Sequence, residues 1–332
     1  MRAASFNDFS ANFSELKREI WATDGNAYRD FLKSLVPDYS RVRRDIARGY
    51  VLLAVTMVAA TLLPRIGIPP LIAAILGAIS VGYWIAYLQL FMHEAAHYNL
   101  ASDRKSSDRI GGRYLSWIAG TSVAAYRDIH FQHHRALGTI DDSENSYFFP
   151  LNLIFLAKAL FGVRAAEILW AQKVKSRPAA DPQPAKATSR SPQISGAMIA
   201  APLVHGGIAL AAFLLGYWWT ALAWIAGVGL FFPFFGAVRQ ILEHRDENAA
   251  SGTDFRRVPH GAVTRLFGDG PLSSTFGAAG FNRHLLHHWE PQVSYTNLGQ
   301  LEEFLLTTKA GPLIEKRRTT YNDAFLKLLS LR

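Results

Sequence analysis

The sequence contains no cysteine among its 332 residues. This absence excludes disulfide scaffolds, cysteine-ligated zinc, iron–sulfur clusters and thiol nucleophiles, and it fits a chain that faces the cytosol. Acidic residues are also in deficit, since 26 Asp and Glu stand against 35 Lys and Arg, which gives a formal net charge of +9. The basic residues flank apolar segments and form no separate stripe, so we expect no nucleic-acid binding.

Charge is missing altogether from two long segments. Residues 66–92 and 194–238 contain no Asp, Glu, Lys or Arg, although the mean hydropathy of the whole chain is only +0.07. A soluble helix keeps one polar face, so uncharged runs of this length predict membrane-spanning helices. We predict four spans in two hairpins. They are expected at about residues 46–63, 68–92, 194–216 and 218–241.

The positions of Lys and Arg predict the orientation of these spans. Nine precede or open the first span, 13 lie between the hairpins and 11 follow the fourth span, while Arg65 is alone in an outer turn. The positive-inside rule then predicts a multi-pass protein of the inner membrane with both termini in the cytoplasm. We treat residues 1–332 as a single domain. Its expected cytoplasmic segments are residues 1–45, 93–193 and 242–332.

One further apolar stretch, residues 148–170, is interrupted by charged residues. We expect it to form an interfacial helix and not a fifth span.

Histidine is the residue that the sequence does concentrate. Nine of its 11 histidines form four short groups: an HExxH motif, two HxxHH motifs and an isolated histidine after the fourth span. Residues i and i+4 share a helix face, so the HExxH pair can face one metal, and we expect the three imidazoles of each HxxHH motif to turn to one place. All four groups lie on the predicted cytoplasmic side. The nine residues are His93, His97, His130, His133, His134, His244, His284, His287 and His288.

The number of histidines predicts more than one metal ion. Zinc sites take three or four protein ligands, so nine histidines imply two ions with about four or five ligands each. Imidazole suits iron, copper, nickel and zinc, so the ligand type leaves the metal open. A redox metal with open positions beside a membrane favours iron with dioxygen as co-substrate, and we predict no catalytic residue beyond the metal ligands. Six neighbours can orient imidazoles or pair with one another: Glu94, Asp141, Asp142, Glu144, Arg239 and Glu243.

This order of motifs on two hairpins resembles the membrane fatty acid desaturase and hydroxylase superfamily over roughly residues 50–310. The run from His287 to Leu298 is similar to the stretch that follows the last histidine box of that family. The resemblance implies an all-α integral membrane fold with a cytoplasmic helical cap, and two irons bound by the nine histidines. It also implies an O2-dependent oxidoreductase, foremost a desaturase of a fatty acyl or lipid chain. A hydroxylase, ketolase or oxidative decarboxylase of a lipid, alkane or carotenoid stays open.

Two departures narrow the resemblance towards bacterial types. Three residues separate His93 from His97, where the stearoyl-type acyl-CoA desaturases have four. The third box begins with His284, where front-end desaturases usually have Gln and carry a fused cytochrome domain. A separate electron donor, such as a ferredoxin with its reductase, is therefore expected.

Two other classes of protein remain as rivals. A membrane zinc metalloprotease would use the HEAAH motif but would leave both HxxHH motifs without a role. A membrane cytochrome or transporter would need paired histidines within the spans, where only His205 lies.

Overall fold

The computed structural model describes residues 9–164, 166–167, 170, 196–247, 253, 255 and 263–330. Within these ranges the fold is mostly helical, as predicted. The α-helices are α1 Phe9–Ser34, α2 Tyr39–Leu62, α3 Pro70–Ala96, α4 Arg104–Ile110, α5 Ser116–Ala119, α6 Val123–Ala136, α7 Leu153–Leu160, α8 Gly196–Leu214, α9 Trp218–Ala226, α10 Phe232–His244, α11 Pro271–Phe276, α12 His284–Trp289, α13 Leu298–Leu306, α14 Gly311–Lys316 and α15 Tyr321–Leu328.

Shorter elements connect these helices. The 3-10 helices are Leu63–Ile66, Ser146–Phe148, Phe281–Arg283 and Tyr295–Asn297, and the π-helical segments are Gly111–Leu115 and Gly227–Phe231. Two strands of two residues each, β1 Leu151–Asn152 and β2 Leu329–Ser330, pair in parallel. This small pair joins the chain after α6 to the C-terminal end of the described residues.

Four helices of the described part of the chain are long and apolar enough to cross a membrane, which makes this a multi-pass membrane protein. The first span is longer than predicted at both ends, and the second and fourth end three or four residues later than predicted, because hydropathy marks the apolar core of a bilayer and not the end of a helix. The third span, as described, lies within its predicted bounds. The first begins earlier since Asp38 caps it, its side chain accepting a hydrogen bond from the Arg41 N–H at 2.8 Å. The four helical spans are Tyr39–Ile66, Pro70–Ala96, Gly196–Leu214 and Trp218–His244.

Small residues let the second and fourth spans approach closely. A Cβ atom added at Gly82 would lie 2.4 Å from the Phe231 Cβ, and one added at Gly227 would lie 2.6 Å from a Val81 side-chain carbon. Helices in a membrane pack in this way when glycine removes the side chain at the contact. The contact involves the π-helical segment of the fourth span, and it fixes the relative positions of α3 and α10.

The helices outside the four spans form a cap over one end of them. Helix α1 is attached to α12, because Lys17 donates a hydrogen bond to the Trp289 carbonyl and pairs with Glu290 at 2.9 Å. Arg265 is buried and donates to the Leu242 carbonyl at the end of α10 at 2.9 Å. The cap therefore holds α12 directly above the ends of α3 and α10.

The stretch 148–170 is less regular than the single interfacial helix expected from the sequence. In the described part it contains strand β1, helix α7 and a turn at Gly162, where the backbone φ is +73°. Asn152 begins α7 by accepting a hydrogen bond from the Phe155 N–H at 2.8 Å.

Candidate metal centre

The nine predicted histidines lie at one place, where α6 and α12 cover the cap ends of α3 and α10. Seven are buried, and His134 and His288 are half-buried. They form two groups, in each of which the ligand nitrogens all lie within 4.8 Å of one another. The five-histidine group contains His93, His97, His130, His134 and His287, and the four-histidine group contains His133, His244, His284 and His288. This division agrees with the two metals of four or five ligands predicted from the number of histidines.

Each HxxHH motif divides between the two groups. On α6 the histidines four residues apart join the five-histidine group, and His133 joins the other. On α12 the assignment is reversed, because the pair four residues apart joins the four-histidine group and His287 joins the five-histidine group. Residues four apart share a helix face, whereas the third histidine is offset around the helix. The expectation that all three imidazoles of a motif turn to one place is therefore wrong.

The histidine rings present their Nε2 atoms to one another within each group. The Nε2–Nε2 distances are 2.8 Å for His93 and His287, 2.9 Å for His97 and His130, 2.9 Å for His130 and His134, 2.9 Å for His134 and His287, 2.9 Å for His244 and His284, and 3.2 Å for His284 and His288. Two imidazole nitrogens that each lie about 2.1 Å from one ion, with a nitrogen–metal–nitrogen angle of about 90°, would be about 3 Å apart. The spacing is thus that of neighbouring ligands on a shared ion.

The position of the proton on these imidazole rings also suits metal binding. A neutral imidazole has one N–H, and where Nδ1 donates it, the Nε2 lone pair is left to face the group. His244 Nδ1 lies 2.9 Å from the Val263 carbonyl oxygen, which fixes that tautomer. His133 Nε2 is buried and has no hydrogen-bond partner among the described residues. Converging, buried ring nitrogens of this kind, once deprotonated, are what a transition-metal ion requires.

Carboxylate groups contact the Nδ1 atoms of two histidines on α6. His133 Nδ1 lies 2.9 Å and 3.0 Å from the two oxygens of Asp142, which is itself buried and accepts a hydrogen bond from the Tyr147 hydroxyl. His130 Nδ1 lies 3.4 Å from Glu144. Asp141, predicted alongside them, is exposed, and its backbone carbonyl and N–H bond to Gln132 and Thr139. The structure therefore brings two of these three acidic residues to the histidines and leaves Asp141 outside.

These carboxylates favour a positive charge on His133. Burial alone would lower the pKa of His133, but Glu144 and Asp142 outweigh it and raise that pKa to about 9. Burial would likewise raise the pKa of Glu144, yet His133 and His130 hold it well below its ordinary value. Burial and the neighbouring His130 lower the pKa of His97 to about 2, and burial also lowers the pKa of His284 and His288. Burial also lowers the pKa of His130, His134 and His287, so these rings of the five-histidine group favour the neutral form before any metal binds.

The remaining predicted neighbours lie on the spans. Glu94 is buried 3.6 Å from His93 Nδ1, and its other oxygen accepts a hydrogen bond from the Tyr295 N–H at 3.2 Å. This places Glu94 behind the imidazole, away from the Nε2 atoms. Arg239 pairs with Glu243 at 3.2 Å, as their spacing on a helix predicted, and a Glu243 oxygen lies 4.0 Å from His284 Nε2.

A cavity of about 330 Å³ is lined by residues that contact the histidines, although none of the nine histidines lines it. Its walls include two aromatic rings that sequence reasoning did not select, Tyr126 and Phe281. Tyr126 stacks on His130 with ring centroids 5.7 Å apart, and Phe281 stacks on His284 at 4.9 Å. Their spacing from the histidines could have identified both rings from the sequence. Tyr126 precedes His130 by one helical turn, and Phe281 precedes His284 by three residues.

Gly236 lines the same cavity from α10, and a Cβ atom added there would meet nothing within 4 Å. The cavity also contains Arg239 and Gln240 from that helix. Gln240 is held by a hydrogen bond to Glu144 at 3.0 Å, so the polar groups of the wall bind one another. A largely apolar space thus leads directly to the rings that cover the histidines.

Comparison with protein families agrees with the motifs, the spans and this geometry. The family model described as fatty acid desaturase matches residues 69–312, which is more than half of the chain and includes all nine histidines. The protein therefore belongs to the fatty acid desaturase family.

Proposed function

We propose that the protein is an O2-dependent oxidoreductase that introduces a double bond into a fatty acyl or lipid chain. Two iron ions would be held by the five-histidine and four-histidine groups, and a separate carrier such as a ferredoxin with its reductase would supply electrons. The proposal treats the chain as a single domain in the inner membrane with both termini in the cytoplasm, as its Lys and Arg positions favour. Family membership supports the reaction class, and the histidine geometry supports the two metal positions.

The observation that carries the proposal is the cavity that ends on Tyr126 and Phe281. These rings stack on His130 and His284, which belong to different groups. A hydrocarbon chain in this cavity would therefore lie beside two rings that contact one histidine of each metal position. An unactivated carbon chain has no polar group near the reacting bond that an enzyme could bind, so the shape of the cavity must set the position of the chain.

The protein's own residues would act by positioning and by excluding water. Asp142 and Glu144 hold the imidazoles of His133 and His130 by their Nδ1 atoms, and Glu94 lies behind His93. When bound, the iron ions would activate dioxygen for removal of hydrogen from carbon. Phe281, which is buried, and Tyr126, which is half-buried, would keep bulk water away from that chemistry.

The same arrangement supports hydroxylation, ketolation or oxidative decarboxylation as alternatives, because these reactions also need a chain held beside two irons. The zinc protease alternative has less support from the geometry. Its general base would be Glu94, whose carboxylate lies on the Nδ1 side of His93 and is bonded to the Tyr295 backbone.

The test fills the cavity without touching the histidines. Gly236→Leu adds a side chain to the open space in the wall, and Gly207→Leu makes the same change on the exposed face of α8, where a Cβ atom also meets nothing within 4 Å. Both variants and wild type would be expressed with a reductase, and their iron content and lipid masses would be measured. We expect Gly236→Leu to keep two irons per chain and to lose the product that is lighter by two hydrogens, while Gly207→Leu retains it.

Two results would contradict the proposal. One is Gly236→Leu with undiminished product, which would remove the cavity from the reaction. The other is a wild-type lipid profile identical to that of an uninduced host over several donors and lipid classes. A product heavier by one oxygen would instead select hydroxylation.

A further inference from the structure

Helix α7 and the turn after it carry large apolar side chains that the protein does not cover. Leu153, Ile154, Phe161 and Val163 are 64%, 69%, 70% and 44% exposed. The opposite face of α7 is buried through Phe155 and Ala159. We name residues 153–164 the α7 segment. Its outward face has the composition of a surface that meets lipid.

The depth of this segment can be estimated from its contact with the fourth span. A Cβ atom added at Gly162 would lie 3.8 Å from the Leu230 side chain and 4.0 Å from the Gly229 carbonyl oxygen. Aromatic residues beginning with Trp218 mark the turn-side surface of the bilayer. Leu230 is 12 residues further along the helix, or about 18 Å, and the apolar core is about 30 Å thick. Gly162 would then lie about 12 Å inside the cap-side boundary.

The charged residues of the segment are paired, as insertion into a membrane requires. Lys158 Nζ lies 2.8 Å from a Glu167 oxygen, and Arg164 lies 3.0 Å from the other Glu167 oxygen and 3.1 Å from Asn145. Arg164 also stacks on the Phe149 ring at 3.7 Å. Ion pairs and snorkelling side chains reduce the cost of placing charge near the membrane core.

The same segment forms part of the cavity wall. Ala159 and Arg164 line the cavity, facing Phe232 and Gly236 of α10. By the same helical rise, Phe232 and Gly236 lie about 21 and 27 Å from Trp218, within the cap-side half of the bilayer. The cavity is therefore bounded at membrane depth by the α7 segment on one side and by the fourth span on the other.

We propose that the α7 segment is a re-entrant element inserted in the cap-side leaflet, and that the substrate is a lipid of that leaflet which reaches the cavity laterally between the segment and α10. The choice of substrate rests on the proposed function, whereas the insertion does not. The occupant of the exposed apolar face is the bilayer itself, because the segment lies beside Gly229 and Leu230 of the membrane-spanning fourth helix.

The insertion can be measured without turnover. The chain contains no cysteine, so Ile154→Cys and Phe161→Cys each provide one position for a nitroxide label in the full-length protein. Leu210→Cys, on the exposed face of α8, serves as the lipid reference, and Lys309→Cys, 63% exposed at its side chain in the cap, serves as the water reference. Proteins would be placed in nanodiscs of phosphatidylethanolamine and phosphatidylglycerol, and collisions with oxygen and with a water-soluble nickel chelate would be compared by EPR.

We expect the labels at Ile154 and Phe161 to match the lipid reference. Phe161→Asp should shift the equilibrium between the inserted and the withdrawn segment towards the withdrawn state by about 100-fold, equivalent to about 2.8 kcal/mol at 1.4 kcal/mol per factor of ten. A nitroxide label at Ile154→Cys in this variant should then collide with the nickel chelate. Iron per chain should stay the same. Labels at both positions that match Lys309→Cys would overturn the insertion, whatever the activity.

The substrate class is tested separately in the same nanodiscs. We expect an isotopically marked bilayer phospholipid to be oxidised by wild type, and its oxidation to fall in Phe161→Asp. Oxidation of a soluble acyl thioester with no oxidation of the phospholipid would overturn lateral access. Labels in lipid with no oxidation of any chain would leave the insertion standing and count against the proposed function alone.

Discussion

The contact between Asp142 and His133 offers the sharpest test of the proposed metal positions. Asp142 is buried, and its two oxygens lie 2.9 and 3.0 Å from His133 Nδ1. The same carboxylate accepts hydrogen bonds from the Glu144 N–H at 2.8 Å and from the Tyr147 hydroxyl. In Asp142→Asn one oxygen remains to accept these bonds, and an NH2 group faces a donor. The change removes the charge that stabilises a cation at the four-histidine group while nearly preserving the shape of the side chain.

Loss of a carboxylate behind a metal-binding imidazole typically lowers metal affinity by 10- to 100-fold, which is about 1.4–2.8 kcal/mol. The assay is iron per chain after dialysis against a graded series of chelator concentrations. Wild type should lose both irons at high chelator, whereas Asp142→Asn should lose one iron at 10- to 100-fold less chelator and keep the other. Asp141→Asn is the matched control, because its carboxyl group is exposed and has no contact with the histidines in the described structure. An unchanged chelator midpoint in Asp142→Asn, or an equal loss in Asp141→Asn, would refute the reasoning.

Two further predictions follow from charge and from packing. In metal-free protein the pKa of His133 is raised to about 9 from an ordinary 6.5, so its proton stabilises the fold fully below pH 6.5 and this contribution is lost as the pH rises through 9. A metal must displace that proton, so cobalt affinity at the four-histidine group, followed by absorbance, should rise about tenfold per pH unit between pH 7 and 9 and then level off; a flat profile would contradict it. Gly82→Ala should destabilise the protein by about 1–3 kcal/mol in thermal unfolding, because its Cβ would lie 2.4 Å from the Phe231 Cβ. Gly206→Ala, with nothing within 4 Å, should not, and equal loss in both would argue against tight packing there.

Sequence patterns predicted the architecture well because each pattern involves residues that are close together in the chain. Uncharged runs identified the four spans, although their ends were wrong by up to seven residues where Asp38 caps a helix beyond the apolar run. The pairing of Arg239 with Glu243 followed from their spacing on a helix. Asp142 reaches His133 while Asp141 is exposed, because adjacent residues in a turn point in different directions and only the fold decides which one reaches the ring.

The sequence by itself determined the class of this protein: four membrane spans, nine histidines of one chemistry, and enough of them for two ions. Each of these is a matter of composition and short-range spacing, which the chain carries whatever its fold. The tertiary structure decided how the histidines are shared, sending His133 to one group and His287 to the other. It also decided that Tyr126 and Phe281 close a cavity against them and that the α7 segment lies beside the fourth span. Those contacts join residues far apart in the chain, and the physical cause is helix packing that no local pattern encodes.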